Sequence, residues 1–104
     1  MVYQGVPTDT SEIDAAVRRA EEALRPDVVR IRYSFGEDWT GDPSIFFKVL
    51  LTDAASRPAK LGKVVSRAEL RIAEEFPGEA LGLNWYTSYR SQSEQRELAD
   101  PAWA

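Results

Sequence analysis

The sequence predicts an α+β fold, a two-layer sandwich of helices on a three-stranded sheet, and three observations carry that expectation. Segments 28–35 and 45–52 alternate their side chains with the period of a strand. Two others, from about 10 to 25 and on to Phe76, repeat apolar residues every three or four positions as helices do. An aromatic run at 83–89 alternates again, so the elements follow in the order α-β-β-α-β-α. At 104 residues this is one domain spanning 1–104, large enough for a core of its own and with no repeat or linker to divide it.

Residues 1–8 have no clear period and stay unassigned, as a loose arm or a short edge strand. Asp9 with Glu12 has the spacing of a capping box, and Ile13, Ala16, Val17, Ala20 and Leu24 then form an apolar stripe that Pro26 ends. Asp14 with Arg18, Arg18 with Glu22, and Glu21 with Arg25 are spaced to pair on the wet face. In the first strand Val29, Ile31, Tyr33 and Phe35 alternate with Val28, Arg30, Arg32 and Ser34. In the second, Ile45, Phe47, Val49 and Leu51 alternate with Phe46, Lys48, Leu50 and Thr52, which makes it more apolar on both sides. The pair reads as an antiparallel hairpin.

Asp53 or Ser56 can cap the next helix, whose apolar set is Leu61, Val65, Ala68, Ile72 and Phe76 and which Pro77-Gly78 closes. The run Leu83-Asn84-Trp85-Tyr86-Thr87-Ser88-Tyr89 is the third strand. Ser91 and Glu94 form a second capping box, which predicts a short helix within the tail 91–104 that stops before Pro101. The tail is expected to fold back on the domain through Leu98 and Trp103. A right-handed crossover through the second helix can set strand three beside strand one, so the expected sheet order is 2-1-3. Order 1-2-3 would make strands two and three parallel neighbours, which requires burial on both faces.

Composition excludes most familiar chemistries. The chain has no cysteine and no histidine, which removes disulfides, thiolate nucleophiles, zinc-thiolate sites and the commonest general base. Hydrophobic content of 43% and charged content of 29% are those of an ordinary globular domain, with no apolar run long enough for a bilayer and no signal core. A cytoplasmic, non-catalytic protein without cofactor or metal is the resulting expectation. Charge is uneven: Arg57, Lys60, Lys63, Arg67 and Arg71 against Glu69 make segment 54–71 net +4 in a chain of net −4. Such asymmetry steers an acidic partner, while the acidic total opposes nonspecific binding to DNA.

Three regions are candidate sites. The loop 36–43 holds Glu37, Asp38, Asp42, two glycines and Trp39, more than a hairpin needs for closure. Its Asp38, Thr40 and Asp42 have the alternation of a calcium loop, but Val49 stands where the bidentate glutamate belongs, so no metal site is expected. On the second helix Lys60, Lys63, Arg67 and Arg71 fall within about a quarter of the circumference, and Leu70 can supply a dry centre to a contact there. On the sheet face away from the helices, Arg30, Arg32 and Lys48 lie with Phe46, Tyr86 and Arg90, cations among aromatics as in sheet-face RNA binders. No RNP-like signature accompanies them.

Asp38-Trp39-Thr40-Gly41-Asp42-Pro43 and the tail Ser91–Ala104 together resemble a group of small uncharacterised bacterial proteins of similar length, encoded beside HEPN-domain proteins. The resemblance spans much of residues 28–104 and brings no activity with it. It implies a toxin-antitoxin-like assembly in which this chain is the non-catalytic partner, the ribonuclease residues belonging to its neighbour. The expectation is therefore a protein-interaction module that docks through Asp38, Trp39, Asp42, Lys60, Lys63, Arg67, Leu70, Arg71 and Trp103. RNA binding through Arg30, Arg32, Lys48, Tyr86 and Arg90 is the alternative. An exposed edge on the strand after residue 82 also allows a homodimer.

Overall fold

A computed structural model describes residues 9–104, so the unassigned arm at 1–8 lies outside the described residues. The elements are α1 (Ser11–Ala23), β1 (Val28–Glu37), β2 (Pro43–Leu51), α2 (Pro58–Glu75), α3 (Gly78–Leu81), β3 (Asn84–Ser91) and α4 (Gln92–Leu98), then a 3-10 turn at Pro101–Trp103. The α+β class stands. The short α3 is an addition, one turn that converts the expected Pro77-Gly78 stop into a bend toward β3. No described helix is long and apolar enough to cross a membrane.

The sheet order is β1-β2-β3, which corrects the expected 2-1-3. β1 and β2 pair antiparallel with Tyr33 opposite Phe47, and β2 and β3 pair parallel with Phe47 opposite Thr87. β2 is therefore the central strand. The physical reason lies in its two apolar sides: Ile45, Phe47, Val49 and Leu51 are buried toward the helices, and Leu50 is buried although it points the other way. A parallel neighbour needs cover on both faces, and here α1 and α2 supply one cover while the C-terminal tail supplies part of the other.

The core forms between the sheet and the two long helices, from Ile13, Ala20 and Leu24 of the α1 region, Ile31 of β1, and Val64, Ala68, Ile72 and Phe76 in and after α2. Val64 takes the buried place expected of Val65, and Phe47 sits at the centre, edge-on to Phe76 at 5.2 Å. The caps differ at two starts. Thr10, not Asp9, is the N-cap of α1, and the Asp9 carboxylate instead accepts from Ser11. Arg57 is the N-cap of α2, with Pro58 supplying a first helical residue whose missing N–H costs nothing. The expected ion pairs along α1 are not formed, and two of their acids tie the helix to β1 instead: Tyr33 donates its hydroxyl to Asp14 at 2.5 Å, and Glu21 accepts the Ile31 amide at 2.7 Å.

The tail is ordered by the expected capping box, Ser91 accepting from the Glu94 amide at 3.1 Å and Glu94 accepting from the Ser91 amide at 3.0 Å. Asp53, freed from capping α2, accepts the Ser93 amide at 2.9 Å and so pins α4 to the turn after β2. The chain then crosses the outer face of the sheet and buries Trp103 there. Leu98 does not share this docking: it is 61% exposed, which corrects its expected role.

Candidate interaction surface

The loop between β1 and β2 is shaped by one carboxylate. Asp38 Oδ1 accepts from the Thr40 amide at 2.9 Å, the Thr40 hydroxyl at 2.6 Å and the Asp42 amide at 3.0 Å, an Asx-type turn that Gly41 completes with φ of 85°. The other oxygen leaves the loop. Asp38 Oδ2 accepts the Tyr86 hydroxyl at 2.8 Å and the Asn84 amide group at 3.2 Å, so the hairpin tip is tied across β2 to the start of β3. Hydrogen bonds from the Thr40 hydroxyl above all, then from Tyr86 and the amides of Asp42 and Thr40, hold the Asp38 carboxyl well below the usual carboxylate range. The same bond to Asp38 pushes the Tyr86 phenol up.

Above this tie stand three aromatic rings. Phe46 and Tyr86 are register partners on the face away from the helices, stacked with centroids 5.6 Å apart and planes 24° apart. Trp39 packs against Tyr86 at a tilt of 56°, with its centroid at 5.2 Å. Gly36 makes room for this arrangement, since a β-carbon there would lie 3.2 Å from the Phe46 ring. The outermost ring is left open, with Trp39 82% exposed.

The cations expected on this face are placed there by the register, but three of the four are turned to the tail. Arg30 Nε donates to the Trp103 carbonyl at 3.1 Å, and Arg32 Nε donates to the Ala104 backbone oxygen at 2.7 Å. Arg90 stacks its guanidinium on the Trp103 ring, donates to Gln95 at 2.8 Å and pairs with Asp100 at 3.7 Å. Lys48 reaches the Ser34 hydroxyl at 3.2 Å. The sheet face thus divides into a half covered by the tail and a half that carries the rings.

The helix stripe is a separate feature on the opposite side of the sheet. Lys60 and Arg67 both reach Asp27, at 3.4 and 3.2 Å, and Arg71 reaches Glu75 at 3.6 Å, where Arg19 of α1 also binds at 2.9 Å. These ties turn Lys60, Arg67 and Arg71 toward α1 and the turn that follows it. Lys63 and the 63% exposed Leu70 stay on the outer surface of α2. The structure therefore brings together Asp38, Trp39, Asp42 and Tyr86, leaves the helix residues apart from them, and buries Trp103 within the chain. Phe46, expected on this face only as a neighbour of the cations, and Asn84, absent from the predicted sets, complete the cluster. The signal for Phe46 was its place on the outer side of β2, while the bond from Asn84 depends on the tertiary meeting of loop and strand.

Among the described residues no group of three or more acidic side chains is arranged to hold a metal ion. In comparisons of the whole chain with family models, curated proteins and solved structures, nothing matches.

Proposed function

We propose that this chain is a non-catalytic protein-interaction module that docks a partner on the Trp39, Tyr86 and Phe46 stack. The observation that carries the reading is an indole 82% exposed yet held against a tyrosine that is itself fixed by Asp38. An aromatic anchor that is already oriented loses little freedom when it binds, and tryptophan and tyrosine dominate interface energetics. The sequence has neither cysteine nor histidine, so the commonest nucleophilic and general-base side chains are missing, which suits a binding role. The resemblance to proteins encoded beside HEPN-domain proteins makes such a protein, in an antitoxin-like pairing, the first partner to test.

RNA binding is the second reading, favoured by the Phe46–Tyr86 stack beside Lys48. Charge weighs against it: Arg30, Arg32 and Arg90 are engaged by the tail, and Glu37, Asp38 and Asp42 belong to the loop beside the rings. Affinity purification from the native host, with Trp39→Ala as the paired control, separates the two. A protein retained by the wild type and lost with Trp39→Ala supports docking. Recovery of RNA that disappears with Lys48→Ala, with no protein retained, reverses the order.

A further inference from the structure

We propose that the partner binds by adding an extended, basic segment to the outer edge of β3, an inference that rests on the interaction reading above. The two edges of this sheet are treated differently. At β1 the Glu21 carboxylate accepts the Ile31 amide and so blunts the edge. At β3 no described strand pairs with the outer side, and no described side chain bonds the backbone of residues 84–90. An edge strand in that state presents alternate N–H and C=O groups to an incoming chain.

Open space lies beside the first half of this edge. An open groove of about 970 Å³ runs between the end of α2 and the first half of β3, lined by Ala73, Phe76, Glu79, Ala80, Trp85 and Tyr86 among others. Trp85 lies on the helix side of the strand, where it meets Phe47, and Tyr86 lies on the open side, where it meets Trp39. A strand added here sends alternate side chains to the two sides. One set enters the groove against Ala73 and Trp85, and the other meets Tyr86 and Trp39. Both apolar surfaces are thereby used by one short segment, with main-chain bonds supplying affinity and the pockets supplying selectivity.

Charge selects the occupant. Glu69 accepts from Thr87 on this flank of α2, Glu79 lines the groove, and Asp38 accepts from Asn84 of the lining, whereas Lys60, Arg67 and Arg71 are tied on the other flank. The segment is therefore lysine- or arginine-bearing with apolar residues at alternate positions. A second copy fits poorly. Antiparallel β3 self-pairing would set this acidic flank against the end of β3 where Asp53, Glu94 and Glu97 outnumber Arg96, which is itself paired with Asp53.

The test selects binders from random dodecapeptides displayed on phage against the full chain, then uses one synthesised winner as the probe. Alternating apolar residues with lysine or arginine are expected, with amides 84–90 gaining hydrogen-exchange protection in the complex. N-methylation of alternate peptide nitrogens, which leaves every side chain in place, should weaken binding at least about tenfold. Ala73→Arg, on an exposed helix position, should do the same by filling the groove. Acid-rich winners, indifference to N-methylation, or protection confined to β1 or α2 overturns strand addition. So does an amide shield on β3 that grows with concentration of the free chain, which makes a second copy the occupant, or one lost on deleting residues 1–8. Peptide binding abolished by Trp39→Ala without β3 protection removes the strand and keeps the aromatic site. The reverse pattern, β3 protection indifferent to Trp39→Ala, keeps the strand and removes that site.

Discussion

The guanidinium of Arg90 lies over the ring of Trp103, 4.4 Å from its centroid, and this contact seats the C-terminal turn on the outer face of the sheet. Arg90 is the register partner of Leu50, and Leu50 is that of Arg30, whose Nε holds the Trp103 carbonyl. One cross-strand row therefore grips both the ring and the backbone of the same residue. Leu50 and Trp103 are buried outside the main cluster, so the tail builds a second small core that covers β2 from behind.

Trp103→Ala should accordingly lower stability by about 3–5 kcal/mol, the usual cost of truncating a buried tryptophan. For a domain of this size that is a fall in Tm on the order of 10 °C or more, read by circular dichroism. Trp39→Ala should stay within about 1 kcal/mol of wild type, because the side chain is exposed. The comparison assigns one tryptophan to the fold and the other to the surface.

Much of this architecture was legible in the residues. The alternation at 30–35 and 45–52, the helical stripes and the Ser91–Glu94 box report local geometry, which a short stretch of sequence carries. The irregularity between Val28 and Arg30, which buries Val28 in place of the expected Val29, is instead set by the pairing with β2. Sheet order was not local. The apolar character of Phe46 and Leu50 on the second side of β2 was the signal for a central strand, but it counted for less than the cost of a parallel pair without a second cover, and that cover came from the tail. The aromatic cluster was half legible for the same reason: Trp39 announced itself, while Asp38 found Tyr86 and Asn84 at sequence separations of 48 and 46 residues.

Glu21→Ala should cost about 1 kcal/mol and deprotect a single edge amide. The Glu21 carboxylate accepts from Ile31 at 2.7 Å, and a hydrogen bond to a charged acceptor is worth somewhat more than a neutral one, less what water recovers at an edge. Hydrogen exchange should show faster exchange at Ile31, with the amides of β2 unchanged at equal stability. Uniform acceleration across the sheet would show instead that Glu21 acts through global stability.

Two glycines should respond with opposite signs. A β-carbon on Gly78 would lie 2.7 Å from a Phe76 ring carbon and 3.1 Å from the Leu83 carbonyl oxygen, at the point where Leu83 N also donates to Gly78 O. Gly78→Ala must displace a buried ring or the backbone, and a loss of about 1–3 kcal/mol is expected. Gly62, inside α2, has open space where its β-carbon would stand, so Gly62→Ala should gain about 0.5–1 kcal/mol by reducing the freedom of the unfolded chain. Urea titrations with an unchanged m-value check both.

The last prediction concerns the tie between loop and strand through the protonation of Asp38. Its carboxyl is held below the ordinary value of 3.8 by Thr40, Tyr86 and two backbone amides. A depressed carboxylate contributes stability that is fully present above its unfolded value and is lost as pH falls through the folded one. From pH 5 to 8 the loop should thus stay tied to β3, and its release should begin only below the range in which an ordinary aspartate protonates. Asp38→Asn should already show that release at neutral pH, as a change in Trp39 fluorescence when its ring loses the fixed Tyr86 beneath it. The same variant gives a second reading at the other end of the scale. Because the bond to Asp38 is the leading cause that raises the Tyr86 phenol above 10.0, its loss should bring that phenolate transition down toward the ordinary value in an ultraviolet titration against wild type. An unshifted Tyr86 transition in Asp38→Asn, with the loop still ordered, would show that Phe46 and Trp39 hold the ring without help from the carboxylate.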